Sequence, residues 1–173
     1  KVSGGMFRDM TIHDFDLACF ILQNDPIVEI FATGDRLFSE DAKEANDIDT
    51  AMITMKSKSG VLCHINNSRH SSYGYDQRVE LFGSKGMIIS DNQTPTSVTR
   101  YNDESTNSKD PILNFFIERY DVAYKNQLDN FLNCIIDKKP PTVNFEDGRI
   151  ALIIANAAYE SLENKKSVKI DYS

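Results

Sequence analysis

The chain is short of cysteine, of positive charge and of long apolar runs, and each shortage removes a class of function. Only Cys19, Cys63 and Cys134 occur in 173 residues. They are odd in number and far apart, which argues against a disulfide framework or a cysteine zinc site and suits a reducing, cytoplasmic setting. Lysine and arginine total 19 against 26 aspartates and glutamates, a formal net charge of −7. No basic stripe is available to displace counterions from phosphates, so no nucleic-acid partner is expected. No apolar run approaches the roughly 18 residues of a membrane span, so no membrane role is expected. There is no HExxH, no paired CxxC, no internal repeat and no low-complexity tract, and no metal site is expected.

What is present is an ordinary globular balance, 40% hydrophobic and 26% charged, and a length of about one domain. Residues 4–22 read as a helix of about four turns. Met6, Met10, Leu17, Ile21 and Phe20 suit its buried stripe, and Asp9, His13 and Asp16 suit a polar one. Gly4 and Gly5 let the incoming chain turn tightly. Residues 27–32 read as a strand, followed by a polar loop whose acids at 40, 41, 44, 47 and 49 suit solvent. Residues 50–56 alternate, with Ala51, Ile53 and Met55 against Met52, Thr54 and Lys56, and 61–69 return after a turn. Residues 77–82 and 87–90 form a second hairpin across Gly83–Gly86, which lacks the following helix of a phosphate loop. Residues 98–101 suit one more strand and 102–111 a polar loop. A long helix over 113–137 carries Phe116, Tyr120, Tyr124, Leu128, Phe131 and Ile135 as a core stripe. A second helix runs to about 163, with Glu146 and Asp147 in its first turn, and a short strand covers 168–170. The expected fold is α+β: a mostly antiparallel, open sheet with helices packed on one face.

Asp9 and His13 carry the most chemistry. Four residues apart on a helix, they share a face, and a carboxylate beside an imidazole suits acid–base work near neutral pH. A plain surface pair has the same spacing, so the alternative stays open. A cluster of Asp9, His13 and Asp16 is a weak metal pattern, and His64 and His70 are too far apart on a strand to share an ion. The segment from Asn67 to Arg78, with Tyr73 and Tyr75, mixes hydroxyls, amides and charges that could hydrogen-bond a polyol. An ordinary hairpin loop would look the same. The sheet face bearing Met52, Thr54, Leu62 and His64 is semi-apolar, and a homo-oligomer packed through it is expected.

In order and spacing, SGGMFRDMTIHDFDLA at 3–18, NSR at 67–69, YGYDQRVELFGSKGM at 73–87, FFIERYDVAY at 115–124 and FEDGRIAL at 145–152 resemble the C-terminal domain of the glucose–fructose oxidoreductase / inositol dehydrogenase family. The resemblance implies one substrate-binding and oligomerisation domain over 1–173, working with an N-terminal Rossmann domain. It implies oxidation of a secondary alcohol of a polyol or sugar, with NAD or NADP as hydride acceptor. Asp9 and His13 match the family's Asp-x-x-x-His, so His13 would take the alcohol proton while Asp9 orients the imidazole and a catalytic lysine. Tyr73, Tyr75 and Asn67 would touch substrate, and Asp16 would support the pocket. The Gly-x-Gly-x-x-Gly fingerprint and the Glu-Lys-Pro segment with that lysine are absent from the sequence. With a start at Lys1 rather than methionine, this suggests a chain cut at an internal linker. Cys19 stands where an arginine is common in the family. A non-catalytic sugar-binding or scaffold homologue is the alternative reading.

Overall fold

In the computed structural model, residues 3–173 are described, and they gather into two compact units: 3–70 with 142–173, and 71–141.

The first unit is a four-stranded sheet with helices on one face. Its strands are β1 (Ile27–Asp35), β2 (Thr50–Ser57), β3 (Leu62–Ser68) and β8 (Val168–Lys169), in the order β3-β2-β1-β8. All three pairings are antiparallel. β2 shows why the register is fixed: Ala51, Ile53, Met55 and Ser57 are buried while Met52, Thr54 and Lys56 are exposed, so a slip of one residue would invert the faces. Against the buried face lie α1 (Ile12–Leu22) and α4 (Phe145–Asn164). Phe7, Phe15, Ile27, Ile30, Ile53 and Ile154 share one core. Each such side chain contributes roughly 1.5–3 kcal/mol by leaving water.

α4 starts where the sequence signals it. The Asn144 side chain accepts from the Glu146 N–H at 2.7 Å, and Asp147 accepts from the Asn144 N–H at 2.7 Å, a reciprocal cap. Its buried Ser161 bridges two strangers, accepting from the Ala32 N–H at 2.9 Å and donating to the Lys166 carbonyl at 2.6 Å.

Two expectations are corrected in this unit. The first helix begins as a π-helical turn, Phe7–Thr11, before α1. Its buried positions are Met6, Phe7, Thr11 and Phe15, whereas Phe20 is 69% exposed and Met10, Leu17 and Ile21 are only half-buried. In an α-helix each step of four overshoots a turn by about 40°. The wider π turn offsets part of that drift, and 7, 11 and 15 line up. Second, the acidic loop is not uniformly solvated. It holds a short helix, α2 (Glu40–Glu44), and ends in Asp49, which is fully buried. The Asp49 carboxylate accepts from the N–H groups of Leu37, Phe38 and Ser39 at 2.9, 2.8 and 2.8 Å, and from the Thr50 hydroxyl at 2.9 Å.

The second unit holds the hairpin β4 (Val79–Gly83) and β5 (Gly86–Ser90), the short pair β6 (Thr99–Arg100) and β7 (Ser108–Lys109), and α3 (Phe116–Asp137). β7 falls inside the stretch expected to be loop. α3 forms where expected, but its apolar stripe is not core: none of its residues is buried, and Leu128, Phe131 and Ile135 are exposed. No helix of the described residues is long and apolar enough to cross a membrane.

Candidate functional site

The head of the first helix is built by side chains that come from far along the chain. Gly4 and Gly5 sit at φ +91° and +85°, a region L side chains rarely adopt. A Cβ on Gly5 would stand 2.3 Å from the Tyr159 hydroxyl and 2.9 Å from an Asp47 oxygen. Those same two groups serve the first free donors of the helix. Asp47 Oδ1 accepts from the Met6 N–H at 3.1 Å, and Tyr159 Oη accepts from the Phe7 N–H at 3.2 Å while donating to the Gly4 carbonyl. Arg8 closes the outside, its Nε 2.9 Å from Asn156 Oδ1 and its guanidinium 5.0 Å from the centre of the Tyr159 ring.

On this frame the π-helical turn carries Asp9, and α1 carries His13, Asp14 and Asp16. Such turns recur at functional sites, where they re-aim side chains. His13 is exposed, so its imidazole is open to a ligand. Asp9 is held by Arg69, whose Nη1 lies 3.1 Å from Asp9 Oδ2 while Nη2 lies 3.8 Å from Asp47 Oδ2. Asp9 is thus tied first to the end of β3. Asp16 has its carboxyl pushed up, mainly by burial and then by the charge of Asp147, with His13 opposing. Cys19 is pushed up to about 11, by burial first and then by Asp16, which leaves it a poor nucleophile.

Asn67 projects from β3 toward the same helix. Its Nδ2 donates to Asp14 Oδ2 at 2.9 Å, while its Oδ1 is buried with no hydrogen-bond partner. One half of the amide therefore fixes α1 against β3, and the other half is unused. Asp9, His13, Asp16 and Asn67 all belong to the first unit.

Tyr73 and Tyr75 belong to the second. The exposed Tyr73 hydroxyl donates to Asp76, which also receives Arg78 Nε and Nη2, both at 2.8 Å, and Asn92 Nδ2 at 2.7 Å. The Arg78 bonds above all hold the Asp76 carboxyl well below the usual range, against a smaller opposing effect of burial. These groups line an open hollow of about 480 Å³. Tyr75 is half-buried instead, its ring 5.8 Å from Tyr120 and 6.5 Å from Phe116, so Tyr73 is the more exposed of the two.

Sequence reasoning passed over Arg69, Asp14, Asp47 and Tyr159. Arg69 had a signal, the NSR motif. The others are joined to the site by pairings 41 to 155 residues long that no local pattern encodes. Among the described residues, no group of three or more His, Cys, Asp or Glu gathers as a metal site.

The profile described as "Oxidoreductase family, C-terminal alpha/beta domain" matches residues 1–170. The myo-inositol 2-dehydrogenase of Thermotoga maritima is 46% identical over 171 residues, covering 99% of this chain and 51% of the relative. The crystal structure of a myo-inositol dehydrogenase from Corynebacterium glutamicum superposes with a TM-score of 0.93 at 51% identity, over 99% of this chain and 51% of that one. That of scyllo-inositol dehydrogenase from Lactobacillus casei, with bound NAD(H) and scyllo-inositol, gives 0.87 at 26% identity, over 96% and 48%. The fold is therefore that of the C-terminal α/β domain of an oxidoreductase. The chain belongs to the glucose–fructose oxidoreductase / inositol dehydrogenase family. It spans about half the length of the relatives it matches.

Proposed function

We propose that these residues form the substrate side of an NAD-dependent dehydrogenase that oxidises a secondary alcohol of inositol or a similar cyclic polyol. The observation that carries the reading is the head of the first helix, where an exposed His13 follows, four residues on, a carboxylate clamped by Arg69. The relatives named for inositol oxidation support the substrate class, and the neighbour holding NAD(H) supports the cofactor.

Among the described residues there is no glycine-rich turn between a strand and a helix, so nothing in them fits a dinucleotide pyrophosphate. We assign the cofactor to a Rossmann domain elsewhere in the protein, together with the lysine that the family resemblance implies. When bound, the nicotinamide supplies the redox chemistry.

What this chain does is handle the proton. Oxidising a carbinol leaves a protonated carbonyl unless a base takes the hydroxyl proton as the C–H bond breaks. His13 is that base: its exposed imidazole has a ring nitrogen able to accept the hydroxyl proton. Asp9 orients the groups that meet the substrate, with Asn67 and Asp16 supporting them in the same unit. In the second unit, Tyr73 and Tyr75 are proposed as substrate contacts. The test is an assay of the whole protein: NAD reduction is expected with myo- or scyllo-inositol. Failure of every cyclic polyol and sugar to support turnover would reject the reading.

The same domain is proposed to assemble the enzyme. The sheet face away from the helices exposes Met52 (55%), Leu62 (78%) and Phe31 (40%) beside Thr54 and His64, an apolar set that a second copy would cover. A dimer or larger oligomer is expected by sedimentation at micromolar concentration, and Met52→Lys with Leu62→Lys should shift it toward monomer. A wild-type monomer would contradict this.

A further inference from the structure

The geometry points to Arg69 as a positioning residue for the reaction, one that holds Asp9 in place by gripping a single oxygen of its carboxylate. This rests on the function proposed above. It adds a residue that the chemistry of proton transfer does not itself require.

Arg69 stands on a fixed base. It follows β3 directly, and its backbone N–H donates to the Asp49 carbonyl at 2.8 Å, immediately beyond the Thr50–Ser68 pair that closes the β2–β3 ladder. Asp49 is in turn immobilised by three backbone N–H groups. From this base the guanidinium reaches two acids at once, Asp9 Oδ2 at 3.1 Å and Asp47 Oδ2 at 3.8 Å. Asp47 is no loose anion either: its side chain caps Met6, and Arg36 Nε donates to its carbonyl at 2.6 Å. Asp9 is therefore referenced to the sheet by a route that bypasses its own helix.

That route matters because Asp9 sits in a π-helical turn, where an α-helix no longer dictates the side-chain direction. A forked, planar cation can bridge two carboxylates, whereas an ammonium concentrates its charge at one point. The Arg69 and Asp9 side chains are 30% and 37% exposed, and an ion pair so open to water adds little to stability. Its consequence is direction. Since Arg69 takes Oδ2 alone, the acid keeps an oxygen for the imidazole, lysine or substrate of the proposed reaction.

The test is a double-mutant cycle in the whole enzyme, with folding of each variant checked by thermal melting. Arg69→Met is expected to lower kcat roughly 10- to 100-fold while KM for the polyol moves by less than about threefold, and Arg69→Lys should recover part of the loss. In an Asp9→Asn background the same Arg69→Met change should cost less than about twofold, because the group it positions has gone. If Arg69→Met leaves kcat intact, or costs the same factor with and without Asp9, the role is wrong. Asp9→Asn and His13→Ala separate the two levels of the argument. Full turnover in both would sink the assignment of the site itself. Impaired turnover in both, with additive Arg69 costs, would sink Arg69 alone.

Discussion

Replacing His13 by alanine in the whole enzyme is expected to lower kcat by roughly 10²–10⁴-fold, the usual worth of a positioned general base. That is a rise of about 3–5 kcal/mol in the barrier. The loss should fall on kcat and kcat/KM together, because the imidazole is engaged as the proton moves rather than when the polyol docks. Stability should hardly change. His13 is exposed and plays no part in the core of Phe7, Phe15 and Ile154, and substitutions at such positions stay within about 0.5 kcal/mol. A variant with normal melting and normal turnover would remove His13 from the mechanism.

The largest effect on stability is expected at Asp49. Its carboxylate accepts from three consecutive N–H groups, those of Leu37, Phe38 and Ser39, and it also takes the Thr50 hydroxyl. Alanine there would leave those donors without the fully buried carboxylate that gathers them. Asp49→Ala should cost about 3–5 kcal/mol, measured by urea unfolding. Asp49→Asn should cost less, since one acceptor oxygen remains. A loss below about 1 kcal/mol for the alanine variant would contradict this account.

The acid has a pH signature as well. Burial alone would raise its pKa, but the N–H groups of Leu37, Phe38 and Ser39 and the Thr50 hydroxyl outweigh burial and hold it well below the ordinary 3.8. With the folded value depressed, its stabilisation is complete above the unfolded pKa and is lost as pH falls from about 4 toward the folded one. Unfolding free energy should therefore drop steeply below pH about 4 in the wild type and less steeply in Asp49→Ala. Parallel slopes would place the acid sensitivity elsewhere.

How much of this was legible in the sequence varies with the range of the interaction. β2 announces itself, because alternation of Ala51, Ile53 and Met55 with Met52, Thr54 and Lys56 is a local pattern that burial enforces. The start of α4 is equally local: Glu146 and Asp147 mark its first turn, and the structure adds the Asn144 cap. The register of the first helix was not legible. A π turn leaves no mark in composition, and it moved the buried stripe from Met10 and Ile21 to Thr11 and Phe15. Asp49 escapes local pattern for another reason. An acid in a polar loop looks solvated until the backbone of residues 37–39 folds over it. α3 was found by its period, but periodicity tells which side is apolar and not whether anything covers it.

The site followed the same rule. Asp9 and His13 stood out by their spacing and by the motif around them. Of the groups that set their geometry, only Asn67 stood out, and as a substrate contact rather than as the partner of Asp14. Arg69 lies 60 residues from Asp9, Asn67 lies 53 from Asp14, and Tyr159 lies 152 from Phe7. Only the fold brings them together.

The most direct measurement is a crystal structure of the whole protein with NADH and a cyclic polyol bound. The account predicts a ring nitrogen of His13 within about 2.6–3.2 Å of the hydroxyl oxygen on the carbon nearest the nicotinamide. A polyol seated with that oxygen beyond reach of His13, and within reach of some other base, would contradict it.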